Sequence, residues 1–94
     1  MVILKEKQVR EILDSLDKEF DSHKFIFEFM RKFPQEYTEG LYEHRNKIDP
    51  FRFFHSQIAK FLKQQTDLVE LIGEVTSANI RTYLTENKKW RKKY

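Results

Sequence analysis

The chain has 94 residues, 39% of them hydrophobic and 35% charged, which is the size of one domain and too apolar for a disordered segment. No run approaches the roughly 18 consecutive apolar residues of a membrane span, and the lack of cysteine excludes disulfides, thiolate metal sites and cysteine nucleophiles. The net charge of +3 arises at one end, because residues 87–94 hold five Lys and Arg and no acid, whereas residues 1–86 hold 13 basic and 15 acidic side chains.

Apolar residues recur at helical spacing along most of the chain, and there are only two glycines and two prolines to form turns. This pattern predicts an all-α fold, a compact single-domain bundle of four to five short helices. The predicted domain spans residues 1–86, and residues 87–94 form a basic C-terminal tail. The predicted helical segments are 3–19, 21–33, 34–46, 49–64 and 66–86.

Helix starts are marked by specific residues. Asp21 and Ser22 can cap the second segment, and Asp49 followed by Pro50 is the clearest start signal in the chain. Pro34 opens the third segment, where its missing N–H had no helical partner. The Phe-rich stripes of segments two, three and four are expected to make the main core.

Residues 67–84 resemble a helix-turn-helix unit. They offer a short apolar helix, a glycine at the turn and a second apolar helix, carried by Leu68, Leu71, Ile72, Gly73, Val75, Ile80, Tyr83 and Leu84. In such a unit the second helix docks on its apolar anchors and leaves its outer face free for the major groove. That face would present Ser77, Ala78, Asn79, Arg81 and Thr82, residue types that read bases or bind phosphate. An ordinary helical hairpin fits the same pattern, and residues 73–77 would also fit a short extended piece.

The basic tail follows this segment directly. Its cations could neutralise phosphates, and its two rings could stack on bases. The cations are Lys88, Lys89, Arg91, Lys92 and Lys93, and the rings are Trp90 and Tyr94. The other interpretation is a solvated end with solubilising lysines. We expect the Trp90 side chain to pack against the predicted domain, because a large indole is rarely left exposed on a flexible tail.

Phe27 and Phe53 fall on the polar sides of their predicted helices. Two such rings on different helices could form a partner interface or a homodimer contact. They could equally be buried if their helices are central in the bundle.

The three histidines, His23, His44 and His55, lack the i, i+4 spacing of a helical metal pair, so core histidines are expected and no metal. No glycine-rich phosphate loop or nucleophile motif is present. We therefore expect no enzyme activity and no cofactor or small-molecule substrate.

The sequence thus predicts a small non-catalytic protein that binds nucleic acid through its C-terminal third. The alternative is a protein-interaction module, with a protein partner or a second copy, that uses exposed aromatic rings. The N-terminal residues lack a basic start followed by a long apolar stretch. We therefore expect no secretory signal, no membrane association and a cytoplasmic location.

Overall fold

A computed structural model describes residues 4–94 of the chain. Four helices and three strands follow one another along these residues. In chain order they are α1 (Glu6–Asp14), β1 (Glu19–Asp21), α2 (Ser22–Lys32), α3 (Pro34–Glu43), α4 (Pro50–Lys63), β2 (Val69–Ala78) and β3 (Leu84–Lys92).

The all-α prediction, a helical bundle, is wrong, because the three strands form an antiparallel sheet and the fold is α+β. The largest change concerns residues 66–86, which were predicted to be helical and instead contribute β2 and the start of β3. Their β-branched residues, Val69, Ile72, Val75 and Thr76, suit a strand better than a helix. The first predicted segment, 3–19, extends too far, because α1 ends at Asp14 and β1 begins at Glu19.

The start signals of α2 and α4 act as the sequence predicts. The Asp21 carboxylate accepts a hydrogen bond from the Lys24 backbone N–H at 2.8 Å, and Asp49 accepts one from the Arg52 N–H at 3.2 Å. Each bond satisfies an amide that has no partner within its helix. Pro50 is the first residue of α4, where a proline costs no hydrogen bond.

The sheet has the strand order β1-β3-β2, so β3 is central. Phe20 of β1 pairs with Trp90 of β3, and Trp90 pairs with Leu71 of β2. The register of β2 against β3 shifts between Leu71 and Gly73, which leaves Ile72 as the extra residue of a bulge. Gly73 has a φ of +157° there, a value that residues with side chains rarely adopt.

The core lies between the helices and the end of the sheet that carries the buried residues Phe20, Val69 and Trp90. Its largest fully buried side chains all come from α1, α2 and α4 and are Phe25, Phe29, Phe54, Ile12, Leu13, Ile58, Leu62 and Val9. Trp90 is only 2% exposed, which confirms the prediction that its side chain packs against the rest of the domain. Among the described residues, the longest helix is α4 with 14 residues, and none has the length and hydropathy to cross a bilayer.

Candidate functional site

The residues predicted to form a DNA-reading helix lie on a β-hairpin instead. Ser77 belongs to β2, whereas Asn79, Arg81 and Thr82 lie in the loop that joins β2 to β3. The helix-turn-helix assignment for residues 67–84 is therefore wrong. The bulge at Ile72 explains the misleading pattern, because one extra residue breaks the two-residue period of a strand and spaces the apolar positions like those of a helix.

Asn79 organises the hairpin loop. Its Oδ1 accepts hydrogen bonds from the backbone N–H groups of Arg81 (2.9 Å) and Tyr83 (3.1 Å), and its carbonyl accepts one from the Thr82 N–H (2.9 Å). Thr82 has a φ of 68°, the left-handed conformation that closes a three-residue hairpin loop. The side chain of Asn79 is thus occupied in shaping the loop.

Arg81 ties this loop to the start of α4. Its Nη2 lies 2.8 and 3.0 Å from the two carboxylate oxygens of Asp49, and its guanidinium lies 5.3 Å from the centre of the Phe51 ring. The hydrogen bond from Arg81 is the main reason why the pKa of Asp49 is lowered. The contact holds the hairpin over the first turn of α4.

Most of the cations predicted for the basic tail are engaged within the sheet, because residues 87–92 lie in β3. Lys88 pairs with Glu74, Lys89 with Glu19, and Arg91 with Glu19 at 2.9 Å and Glu70 at 3.3 Å. Lys93 donates to the Thr66 carbonyl, and Lys92 lies 6.0 Å from the Tyr94 ring centre. Hydrogen bonds from Arg91 and Lys88 lower the pKa values of Glu19 and Glu74, respectively.

Phe27 and Phe53 are both substantially exposed, at 49% and 41%. Phe27 lines a groove between α2 and the hairpin, together with Leu16 and Ile80. Phe53 lines a different concavity at the start of α4, where the Lys47 ammonium lies 4.5 Å from its ring centre. The structure does not place the two rings in one concavity.

The site residues predicted from the sequence do not include a basic stripe on α4. Arg52, Ser56, Lys60 and Lys63 are all exposed, and their spacing of four, four and three residues places them on one face of the helix. Phe54, Ile58 and Leu62 are buried on the opposite face. We call this set the α4 stripe. None of its three cations makes an ion pair with any residue between 4 and 94.

The charge of α4 differs from that of its neighbours. Its 14 residues include no Asp or Glu, whereas α3 carries Glu36, Glu39 and Glu43 and no Lys or Arg. This contrast is visible in the sequence and could have identified the α4 stripe. The cations of the predicted tail are less available, because the fold pairs three of the five, Lys88, Lys89 and Arg91, with acids.

A cleft of about 760 Å³ opens between α2, α4 and the hairpin, and we call it the hairpin cleft. Ile26, Ala59 and Ile80 give it an apolar lining, and Tyr83, which is 66% exposed, stands at its edge. Arg52 and Ser56 of the α4 stripe also line it. The cleft and the stripe therefore meet on α4.

His23 fastens the hairpin to α2 within this cleft. Its two ring nitrogens are hydrogen-bonded to hydroxyls from the two strands, Nδ1 to Ser77 Oγ at 3.0 Å and Nε2 to Thr85 Oγ1 at 3.1 Å. Its backbone N–H donates to Asn87 Oδ1 at 3.2 Å. His23 and Ser77 therefore have a structural use in holding the cleft together.

His55 lies deeper in the cleft and touches the core. Its Nε2 lies 2.6 Å from the Tyr37 hydroxyl. Burial raises the pKa of Tyr37 to about 12, and burial, followed by repulsion from Arg81, lowers the pKa of His55 to about 4. Both side chains are therefore uncharged at neutral pH.

The third histidine, His44, is buried and its Nδ1 bonds the Gly40 carbonyl at 2.8 Å. Between residues 4 and 94, no three His, Cys, Asp or Glu side chains are arranged to hold a metal ion.

Compared with known proteins, the chain matches no family model, no curated protein and no solved structure. The functional argument therefore rests on the geometry and charge described above.

Proposed function

We propose that this protein binds duplex DNA without catalysis, using the α4 stripe as its main contact surface. The C-terminal third contributes through the hairpin that flanks α4, and not through a helix of its own. We further propose a cytoplasmic location.

One observation carries the proposal: α4 has no acidic residue and presents Arg52, Lys60 and Lys63 on one exposed face without ion-pair partners in the described chain. Unpaired cations on a rigid element bind phosphates without first breaking an internal salt bridge. The cations of β3 lack this advantage, because Lys88, Lys89 and Arg91 are paired with acids.

The position of α4 also supports the proposal. It is the second member of a packed helix pair, with α3 before it and a six-residue connection between them. The exposed face of α4 can lie against a duplex and place its cations beside the phosphates. Arg52 and Ser56 lie toward the N-terminal end of this face and can donate hydrogen bonds to phosphate.

The test is fluorescence anisotropy of the full chain with a labelled duplex of mixed sequence at 50 and 200 mM salt. The variant Lys60→Gln/Lys63→Gln removes two stripe cations. Each phosphate contact contributes about 0.9 to the salt slope. We therefore expect the variant to bind at least 10-fold more weakly at 50 mM salt and to show a log–log slope smaller by about two.

The matched control is Lys89→Gln/Lys93→Gln, which removes the same charge from cations engaged in the fold. It should change the affinity less than threefold. Equal losses in the two variants would assign binding to net charge and refute the role of the α4 stripe. Truncation after Glu86 is not a suitable control, because it removes most of β3 and the buried Trp90.

A further inference from the structure

The N-terminal half of α4 offers three hydrogen-bond donors to the hairpin cleft. Arg52, His55 and Ser56 all line the cleft, and their spacing places them side by side on the helix. The Arg52 guanidinium and the Ser56 hydroxyl have no hydrogen-bond partner within residues 4–94. Both groups can therefore donate to a ligand, and the Arg52 charge also interacts with the neighbouring Asp49 carboxylate.

The third donor is Nδ1 of His55. In this buried position the Tyr37 hydroxyl has one acceptor in reach, His55 Nε2, and no buried polar side-chain atom of the described residues lacks a partner. We therefore assign the hydroxyl proton to the bond with Nε2, which leaves the proton of the neutral imidazole on Nδ1. Nδ1 has no protein partner in this range, so it is in contact with solvent.

These donors select for an oxyanion. A guanidinium, an imidazole N–H and a hydroxyl can all donate to phosphate oxygens. Two carboxylates, Asp49 and Glu86, also line the cleft, and Asp49 is occupied by Arg81 and by the Arg52 backbone N–H. The neutral state of His55 matters as well, because its N–H remains a donor without the cost of burying a second charge.

The rest of the cleft fits the organic part of such a ligand. Its volume of about 760 Å³ lies in the range of small-molecule sites. Ile26, Ala59 and Ile80 give an apolar lining, and the exposed ring of Tyr83 stands at the edge. A planar base can pack on such a ring.

We propose that Arg52, His55 and Ser56 bind the phosphate of a nucleotide whose base enters the hairpin cleft beside Tyr83. The phosphate belongs either to a free mononucleotide or to a nucleic-acid strand. This inference deepens the proposed function, because Arg52 and Ser56 belong to both surfaces, and the choice of a nucleotide rests on that function.

The test uses isothermal titration of the full chain with adenosine 5′-monophosphate, adenosine and inorganic phosphate, and anisotropy with the labelled duplex. The variant Ser56→Glu places an anion among the three donors, and Gln35→Glu adds the same charge at an exposed position of α3 outside the cleft. We expect Ser56→Glu to weaken binding of the monophosphate at least 10-fold and Gln35→Glu to weaken it less than twofold. Adenosine should bind at least 10-fold more weakly than its monophosphate.

The outcomes separate the two sources of phosphate. Selective loss of monophosphate binding in Ser56→Glu supports a free nucleotide, and selective loss of duplex binding alone supports a nucleic-acid phosphate. Equal effects of Ser56→Glu and Gln35→Glu on both probes would overturn the site. Lys60→Gln/Lys63→Gln distinguishes this failure from failure of the proposed function, because those lysines do not line the cleft and should affect the duplex only.

Discussion

The Tyr37 hydroxyl lies 2.6 Å from Nε2 of His55 and joins α3 to α4 at the inner end of the hairpin cleft. Tyr37 is buried and its ring also packs on Phe29 and Phe54. The bond therefore connects the aromatic core to the candidate site. The bond fixes the imidazole in one orientation and gives the buried Tyr37 hydroxyl a hydrogen-bond partner.

The first prediction concerns stability and pH. Burial lowers the pKa of His55 to about 4, so on acidification the unfolded chain takes up this proton before the folded chain does. The stabilisation from His55 is complete above about pH 6.5 and is lost progressively toward pH 4. Because part of the imidazole is in contact with solvent, we expect a total loss of about 2 kcal/mol. Urea unfolding between pH 7.5 and 5 measures the part of this loss that lies above the titration of the carboxylates.

The control for this titration is His55→Gln, which retains an acceptor for Tyr37 and does not titrate. Its unfolding free energy should be nearly flat over the same range. The carboxylates with lowered pKa values, such as Glu19 and Asp49, lose their stabilisation only below about pH 4.5. An equal slope in wild type and His55→Gln would show that His55 is not the source.

The second prediction concerns the contact between α3 and α4. A Cβ placed on Gly40 would lie 2.1 Å from Cζ of Phe54, and that ring is held between Phe29, Tyr37 and His44. Gly40→Ala should therefore destabilise the protein by about 3 kcal/mol, despite the better helix propensity of alanine. Chemical denaturation measures the change.

A double-mutant cycle separates this steric effect from a general effect on α3. Phe54→Leu shortens the opposing side chain, so Gly40→Ala should cost at least 1 kcal/mol less in that background. Glu39→Ala, at an exposed position of the same helix, should change stability by less than about 0.5 kcal/mol. Identical costs of Gly40→Ala in both backgrounds would contradict the contact.

The third prediction concerns the hairpin loop. Thr82 has a positive φ of 68°, which is unfavourable for a β-branched residue. Thr82→Gly should stabilise the protein by about 1 kcal/mol, because glycine adopts this conformation without strain. Thr76→Gly, in the extended backbone of β2, should instead destabilise it by about 1 kcal/mol. Thermal unfolding of the two variants checks the opposite signs.

Much of the helical part of the fold follows from local sequence signals, and the sheet does not. Asp21, Asp49 and the two prolines act within one helical turn, so their effects are visible in a short window. β1 has only three residues and exists because β3, about 70 residues later, pairs with it. Such a pairing cannot be found from local periodicity.

The candidate site was predicted only in part, for a related reason. Arg81 and Ser56 both line the hairpin cleft, but the sequence identified Arg81 on a helix that does not exist and did not identify Ser56. Net charge was also misleading, because Lys88 and Arg91 are neutralised by acids on the neighbouring strands. Only the pairing of the strands shows that these tail cations have acidic partners.

The last prediction concerns the attachment of the sheet to α2. Trp90 donates its indole N–H to Ser22 Oγ at 2.9 Å, and both side chains are buried. Ser22→Ala would leave this donor without an acceptor, which should destabilise the protein by about 2 kcal/mol. In a Trp90→Phe background no donor is present, so Ser22→Ala should cost less than about 0.5 kcal/mol. Urea unfolding followed by circular dichroism measures all four proteins of the cycle, and equal costs of Ser22→Ala in the two backgrounds would show that the bond does not contribute.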